Sequence, residues 1–211
     1  MRRQPRAAPG TGSSVAAELI IAARLGQVEL VPWARDLAGR LLAEPLPRRW
    51  AHTQGVGRKA ESIAHIIGSD AETLIAAAWL HDIGYAPKLA ATGFHPLDGA
   101  RYLRDVEHAD DTLCRLVAHH SCALIEARHR GVDDDLASDF PEVGGLMSDA
   151  LLYCDMTTSP DGVPVSVEVR LAEILTRYSP TDVVAMSIRE AAPHITSAVR
   201  AVSAVLRQSD R

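Results

Sequence analysis

Ala78-Trp79-Leu80-His81-Asp82-Ile83-Gly84 is the stretch on which the reading of this chain turns. It closes an apolar run from Asp70 to His81 that predicts a helix, with Ser69 and Glu72 spaced as a capping box at its start. The run ends in an imidazole and a carboxylate side by side, and Gly84 allows the chain to leave helical angles. Burying such an ionisable pair is costly unless something uses it. Imidazole nitrogen and carboxylate oxygen are the usual protein donors to hard and borderline divalent metals.

Working outward, His52 lies in Arg49-Trp50-Ala51-His52-Thr53, within a helix predicted from Pro47 to Ile67. Asp155 follows a helix predicted from Val143 to Cys154. An acidic side chain is unfavourable at a helix C-terminus, where the backbone dipole is negative, so its presence there hints at function. Between them stand His95, at the start of a helix predicted from Pro96 to Val106, and His119-His120, ending one predicted from Asp110. Successive helical residues point about 100° apart, so a regular helix turns at most one of that pair toward a given point.

The remaining pattern is helical throughout. Helices are expected at Val15 to Leu25, Pro32 to Ala43, Ala123 to Arg130 and Val165 to Tyr178, followed by a long last one bent at Pro193. Asp133 to Asp135 reads as surface loop, and Thr157 to Pro164 as a turn-rich one. The fold class is all-α: residues 1–14 form a flexible tail and 15–211 a single domain. A net charge of −5 argues against nucleic-acid binding. No stretch approaches the roughly 20 apolar residues of a membrane span, and no signal peptide is legible, so the expected location is cytoplasmic. Cys114, Cys122 and Cys154, odd in number and lacking metal-knuckle spacing, read as reduced and mostly buried. His65, His108, His129 and His194 read as surface residues.

The order His52, His81-Asp82, Asp155, with Ile83-Gly84 completing an HDIG wording, resembles the HD-domain superfamily of metal-dependent phosphohydrolases. The resemblance implies an HD-domain helical bundle with its motif core over 48–178 and short helical extensions at either end. It implies that His52, His81, Asp82 and Asp155 hold one divalent metal. Two-metal members carry further histidines, so His95 and His119 would bind a second ion with Asp82 bridging, and His120 is the less favoured of its pair. An imidazole-rich set suits Fe or Mn, with Zn, Co, Ni and Mg as alternatives.

The implied activity is hydrolysis of a phosphoester or phosphoanhydride by metal-activated water, with Asp82 and Lys88 as catalytic residues. The implied partner is a small phosphorylated molecule, nucleotides first. Arg49, Arg58 and Lys88 are the expected substrate-binding cations, with Arg48 and Lys59 as neighbours of the same kind; a lysine shortly after the HDIG run is common among relatives. The entry Arg49 to Thr53 and the extra histidines are similar to the YqeK-like branch, which hydrolyses dinucleoside polyphosphates symmetrically. The same ligands would serve a di-iron oxygenase, and a non-catalytic nucleotide-sensing module is the third reading. Val199, Val202, Val205 and Leu206 on the last helix suit either packing within the chain or a homodimer.

Overall fold

The structure, a computed structural model, describes residues 29–209. The expected tail over 1–14 and the helix expected at Val15 to Leu25 lie outside the described residues. The chain runs through α1 (Leu30–Leu42), α2 (Pro47–Ile63), α3 (Ala71–Leu80), α4 (His95–Asp105), α5 (Asp111–His119) and α6 (Ala123–Arg130). It continues through α7 (Asp133–Asp139), α8 (Leu146–Met156), α9 (Val167–Arg177) and α10 (Val183–Ser209). Among the described residues there is no strand, only an isolated bridge between Thr158 and Pro164.

α3 is the centre of the bundle because it is apolar all round. Leu74, Ala76, Ala77, Ala78, Trp79 and Leu80 are all buried, and α1, α2, α5 and α8 pack around them. Leu74 and Leu80 are fully buried, each contributing about 1.5–3 kcal/mol relative to exposure. Gly57 lets α2 approach: a Cβ there would lie 2.4 Å from the Trp79 ring. A second apolar cluster joins α8 to α9 and α10 through Leu152, Met156, Ile174 and Ile195. α10 packs within the chain, with Val202 in the main core and Val199 in the second cluster.

Several local expectations need correction. Ser69 and Glu72 do not form a capping box, because a 3-10 turn over Gly68–Asp70 moves the helix start to Ala71 and leaves Glu72 one position short. Asp133, Asp134 and Asp135 are the first turn of α7 rather than loop, where three carboxylates meet the positive end of the helix dipole. Asp155 sits inside the last turn of α8, not after it. No described helix is long and apolar enough to cross a membrane. The three cysteines are free, with Cys114 and Cys154 buried and Cys122 half-buried.

Candidate metal centre

The ends of three helices, the middle of a fourth and one kink meet at a single point. His52 comes from the middle of α2, His81 and Asp82 from the end of α3, His95 from the first position of α4 and Asp155 from the last turn of α8. His120 comes from the break between α5 and α6. His52, His81, Asp82, His120 and Asp155 are all buried. Their donor atoms form two groups, His52 with His81 and Asp155, and Asp82 with His95 and His120, each spanning no more than 4.8 Å.

Asp82 stands between the groups. Its Oδ2 lies 3.2 Å from His81 Nε2 and 3.8 Å from His52 Nε2, while its Oδ1 lies 3.5 Å from His95 Nε2 and 3.9 Å from His120 Nε2. The backbone orients three of the imidazoles. Nδ1–H of His52 donates to the carbonyl of Ser159 (2.9 Å), that of His81 to Ala78 (2.8 Å), and that of His120 to Val117 (2.7 Å). A carbonyl can only accept, so each Nδ1 carries a proton and each ring turns its Nε2 inward. The same second partner fixes tautomer and ring angle in metal-binding histidines.

The inward atoms are therefore short of positive charge. His52 Nε2 faces Asp155 Oδ1 at 2.9 Å, an acceptor against an acceptor unless a cation or a proton lies between them. His81 Nε2 is fully buried with no hydrogen-bond partner, a cost that proteins rarely leave standing. Two trios of imidazole and carboxylate with an orphaned buried nitrogen fit divalent metal.

Close backbone approaches hold this arrangement. Gly84 is required for space rather than for a turn angle: a Cβ there would sit 1.9 Å from the His95 carbonyl oxygen. Gly55 and Gly162 do the same for the loop after α8, where a Cβ on Gly162 would lie 2.2 Å from the Ala51 carbonyl. That contact seats Ser159 against His52. Asp98 ties the loop before α4 in place by accepting from the Ala91 amide (3.1 Å) and the Thr92 amide (2.9 Å).

His119 and His120 exchange the places expected of them. α5 ends at His119, His120 has extended backbone angles, and Ser121 (φ 51°) and Cys122 (φ 63°) are left-handed. The kink swings His120 into the centre, whereas His119 points out and its Nε2 meets the Phe140 carbonyl at 2.6 Å. The Ser121 hydroxyl donates to Asp155 Oδ2, holding the strained turn against the centre.

Of the expected cations, Arg49 reaches the site and donates to Asp82 Oδ2 at 2.8 Å. Its guanidinium lies 4.0 Å from the centre of the Tyr85 ring, which stacks on His95 at 3.8 Å. Arg58 does not reach it: six residues past His52 is about 240° round the helix, and Arg58 is exposed beside Lys59, Ser62 and Thr158. Lys59 donates instead to Thr157 Oγ1 at 2.6 Å. Lys88 is exposed and lines a separate cavity with Asp98 and Arg101, because the chain turns away after Tyr85. It is absent from the lining of the cavity at the centre. His65, His108, His129 and His194 are exposed, as expected.

Arg170 of α9 is the residue that sequence reasoning missed. It is buried, its Nη1 donates to Glu173 (2.6 Å), its Nη2 lies 4.0 Å from Asp155 Oδ1, and its Nε has no partner. A signal existed: Val167, Leu171 and Ile174 share one helical face with Arg170, a cation set among apolar residues. Ser121 carried no such signal.

The electrostatics follow from burial opposed by neighbours. Burial resists ionisation of Asp82, yet Arg49 and His81 hold its carboxyl well below the ordinary range. Burial likewise opposes ionisation of Asp155, and the hydrogen bond and charge of His52, with His81 and Arg170, hold it low. Burial and the nearness of His120 push His95 well below the usual histidine value, and burial and His81 lower His120. His81 moves up despite its burial, because Asp82 adjoins it.

The family model for the HD domain matches residues 49–177, a span that opens at Arg49 and closes at Arg177. No curated protein and no solved structure matches the chain.

Proposed function

The chain belongs to the HD domain family, and on that premise we propose that it is a metal-dependent phosphohydrolase acting on small phosphorylated molecules, with nucleotides the first class to test. The observation that carries this reading is the convergence of His52, His81 and His120 Nε2 atoms on two carboxylates, each ring fixed from behind by a backbone carbonyl. Divalent metal bound there would neutralise charge on phosphate oxygens and acidify water toward about neutral pKa. His52, His81 and Asp155 would hold one ion, and Asp82, His95 and His120 a second.

The chain's own groups supply the rest. Arg49 now spends its guanidinium on Asp82, and its fork geometry suits a phosphate equally well. Arg170, anchored by Glu173, places a second permanent positive charge beside Asp155. Tyr85 fixes both Arg49 and His95 by stacking, so the cation and the ligand share one support. Met156, Ile174, Val184 and Ile188 line the same cavity as Arg49, Tyr85 and His95, and apolar walls strengthen the charge interactions beside them.

The test is metal analysis of protein purified without chelators, followed by hydrolysis assays on phosphomonoesters, nucleotides and dinucleoside polyphosphates. We expect one to two ions per chain, and loss of metal and hydrolysis together in His81→Ala with the helical circular dichroism retained. Full hydrolysis by a metal-free Asp82→Ala protein would overturn the proposal.

A further inference from the structure

Beside the centre lies a cavity of about 320 Å³ that contains none of the carboxylates of the metal groups. Arg48, Arg49, Arg170 and Arg177 line it, and His52 forms the wall it shares with the centre. Pro45, Pro47, Pro160 and Leu46 complete it, and the imidazole of His52 is the one aromatic ring in its lining. Its volume falls in the range of roughly 300–1,000 Å³ typical of small-molecule sites.

Each guanidinium is held in place by a carboxylate. Arg48 Nε donates to Asp161 (2.9 Å), Arg177 Nε is paired with Glu173 Oε1 (2.9 Å), and Arg170 Nη1 bonds Glu173 Oε2 (2.6 Å). Arg49 is anchored to Asp82. Asp161 and Glu173 serve Arg48, Arg170 and Arg177 from outside the centre, while Asp82 and Asp155, which would be shared with bound metal, balance the remaining charge. Each arginine carries five donors, of which one carboxylate occupies at most two. Clustered arginines with spare donors and apolar walls are the chemistry that recognises phosphate.

We propose that this cavity is a second anion subsite, which takes a non-reacting phosphate of a substrate whose other phosphate lies at the metal centre. The substrate is thus a bisphosphorylated small molecule rather than a simple monoester. This inference rests on the hydrolase reading for the role of the first phosphate, but its binding test does not depend on turnover.

The test titrates the full-length, metal-loaded protein calorimetrically with alkylphosphonates and with α,ω-alkanediyl bisphosphonates of two to six carbons, whose carbon–phosphorus bonds are not hydrolysed. At least one bisphosphonate should bind tenfold or more tighter than the monophosphonate of the same length. The preference should fall below threefold in Arg48→Ala/Arg177→Ala and persist in Arg58→Ala, which removes an exposed arginine of another cavity. Thermal melts of each variant confirm folding, since Arg48 and Arg177 are both partly exposed. Absence of any preference in the wild type, or its survival in the double variant, overturns the proposal. The matching phosphate esters separate the two readings. Bisphosphonate preference without hydrolysis of any ester would leave the subsite and defeat the hydrolase, whereas hydrolysis without preference would do the reverse.

Discussion

Replacing Gly84 with alanine sets one methyl group against the backbone of a metal-site helix. The new Cβ would lie 1.9 Å from the His95 carbonyl oxygen, 2.7 Å from the Gly99 nitrogen and 2.8 Å from the His95 carbonyl carbon. Contacts under 3.0 Å are essentially never made by a real Cβ, so the start of α4 must retreat by at least about 1.1 Å along the worst contact. All three atoms are backbone, and no side chain can rotate aside. The cost therefore belongs at the upper end of overpacking, about 3 kcal/mol. With a urea slope of about 2 kcal/mol/M, the midpoint should fall by about 1.5 M. The same retreat pulls His95 from His120, now 3.1 Å apart at Nε2, so the variant should retain at most one ion per chain. Two further glycines calibrate the measurement. Gly68→Ala meets no atom within 4 Å but has φ +74°, and should cost about 1 kcal/mol from backbone strain alone. Gly144→Ala meets nothing and has no positive φ, and should leave the midpoint unchanged. A Gly84→Ala protein as stable as Gly144→Ala, with the wild-type metal content, would refute the reasoning.

Three shorter predictions follow from the same centre. His120→Asn should lower bound metal by about one ion per chain, whereas His119→Asn, which loses only a contact to the Phe140 carbonyl, should keep it; the opposite result would restore His119 as the inward ring. Arg170→Met removes a charge-assisted bond to Glu173 and should cost about 1.5–3 kcal/mol in urea unfolding, so an unchanged midpoint would count against a buried, anchored guanidinium. In chelated protein, His95 and His120 are held below their ordinary value, so below about pH 6.5 the unfolded chain takes up protons that the folded chain refuses. His81, moved the other way, contributes stability that is lost as pH rises above that value. On the acid side the two lowered histidines govern, and the melting temperature should fall between pH 6.5 and 5; a rise over that interval would contradict the burial of their rings.

Element types were legible because helical period and breakers agree along most of the chain. Ala123–Arg130 has the expected bounds, and α3 ends at the dyad because its apolar run ends there. The positions of His52, His81, Asp82, His95 and Asp155 were also readable, each being tied to a helix end or a helix face. The choice between His119 and His120 was not. It depends on Ser121 and Cys122 adopting left-handed angles, which neither residue type favours and which long-range contact with Asp155 supports. Lys88 and Arg58 illustrate a second limit. Proximity in sequence to a motif says little about direction once a 3-10 turn or two helical turns intervene. Arg170 lies 15 residues beyond Asp155 and reaches the centre only because α9 folds back on α8.

The charges around the centre connect its assembly to what it can bind. Asp82 and Asp155 are buried, and two guanidiniums that cannot lose their protons, Arg49 and Arg170, stand against them. With the imidazoles neutral these four charges cancel, so the cluster can fold without an ion and still hold its rings in position. Each divalent ion bound there would add two positive charges that no further carboxylate in either trio offsets. A bound ion would share Asp82 with Arg49, whose guanidinium also lines the adjoining cavity. A loaded centre would then carry an excess of positive charge that suits an incoming anion. A singly phosphorylated ligand discharges part of it, and the arginines of the adjoining cavity leave room for a second phosphate to take up the rest.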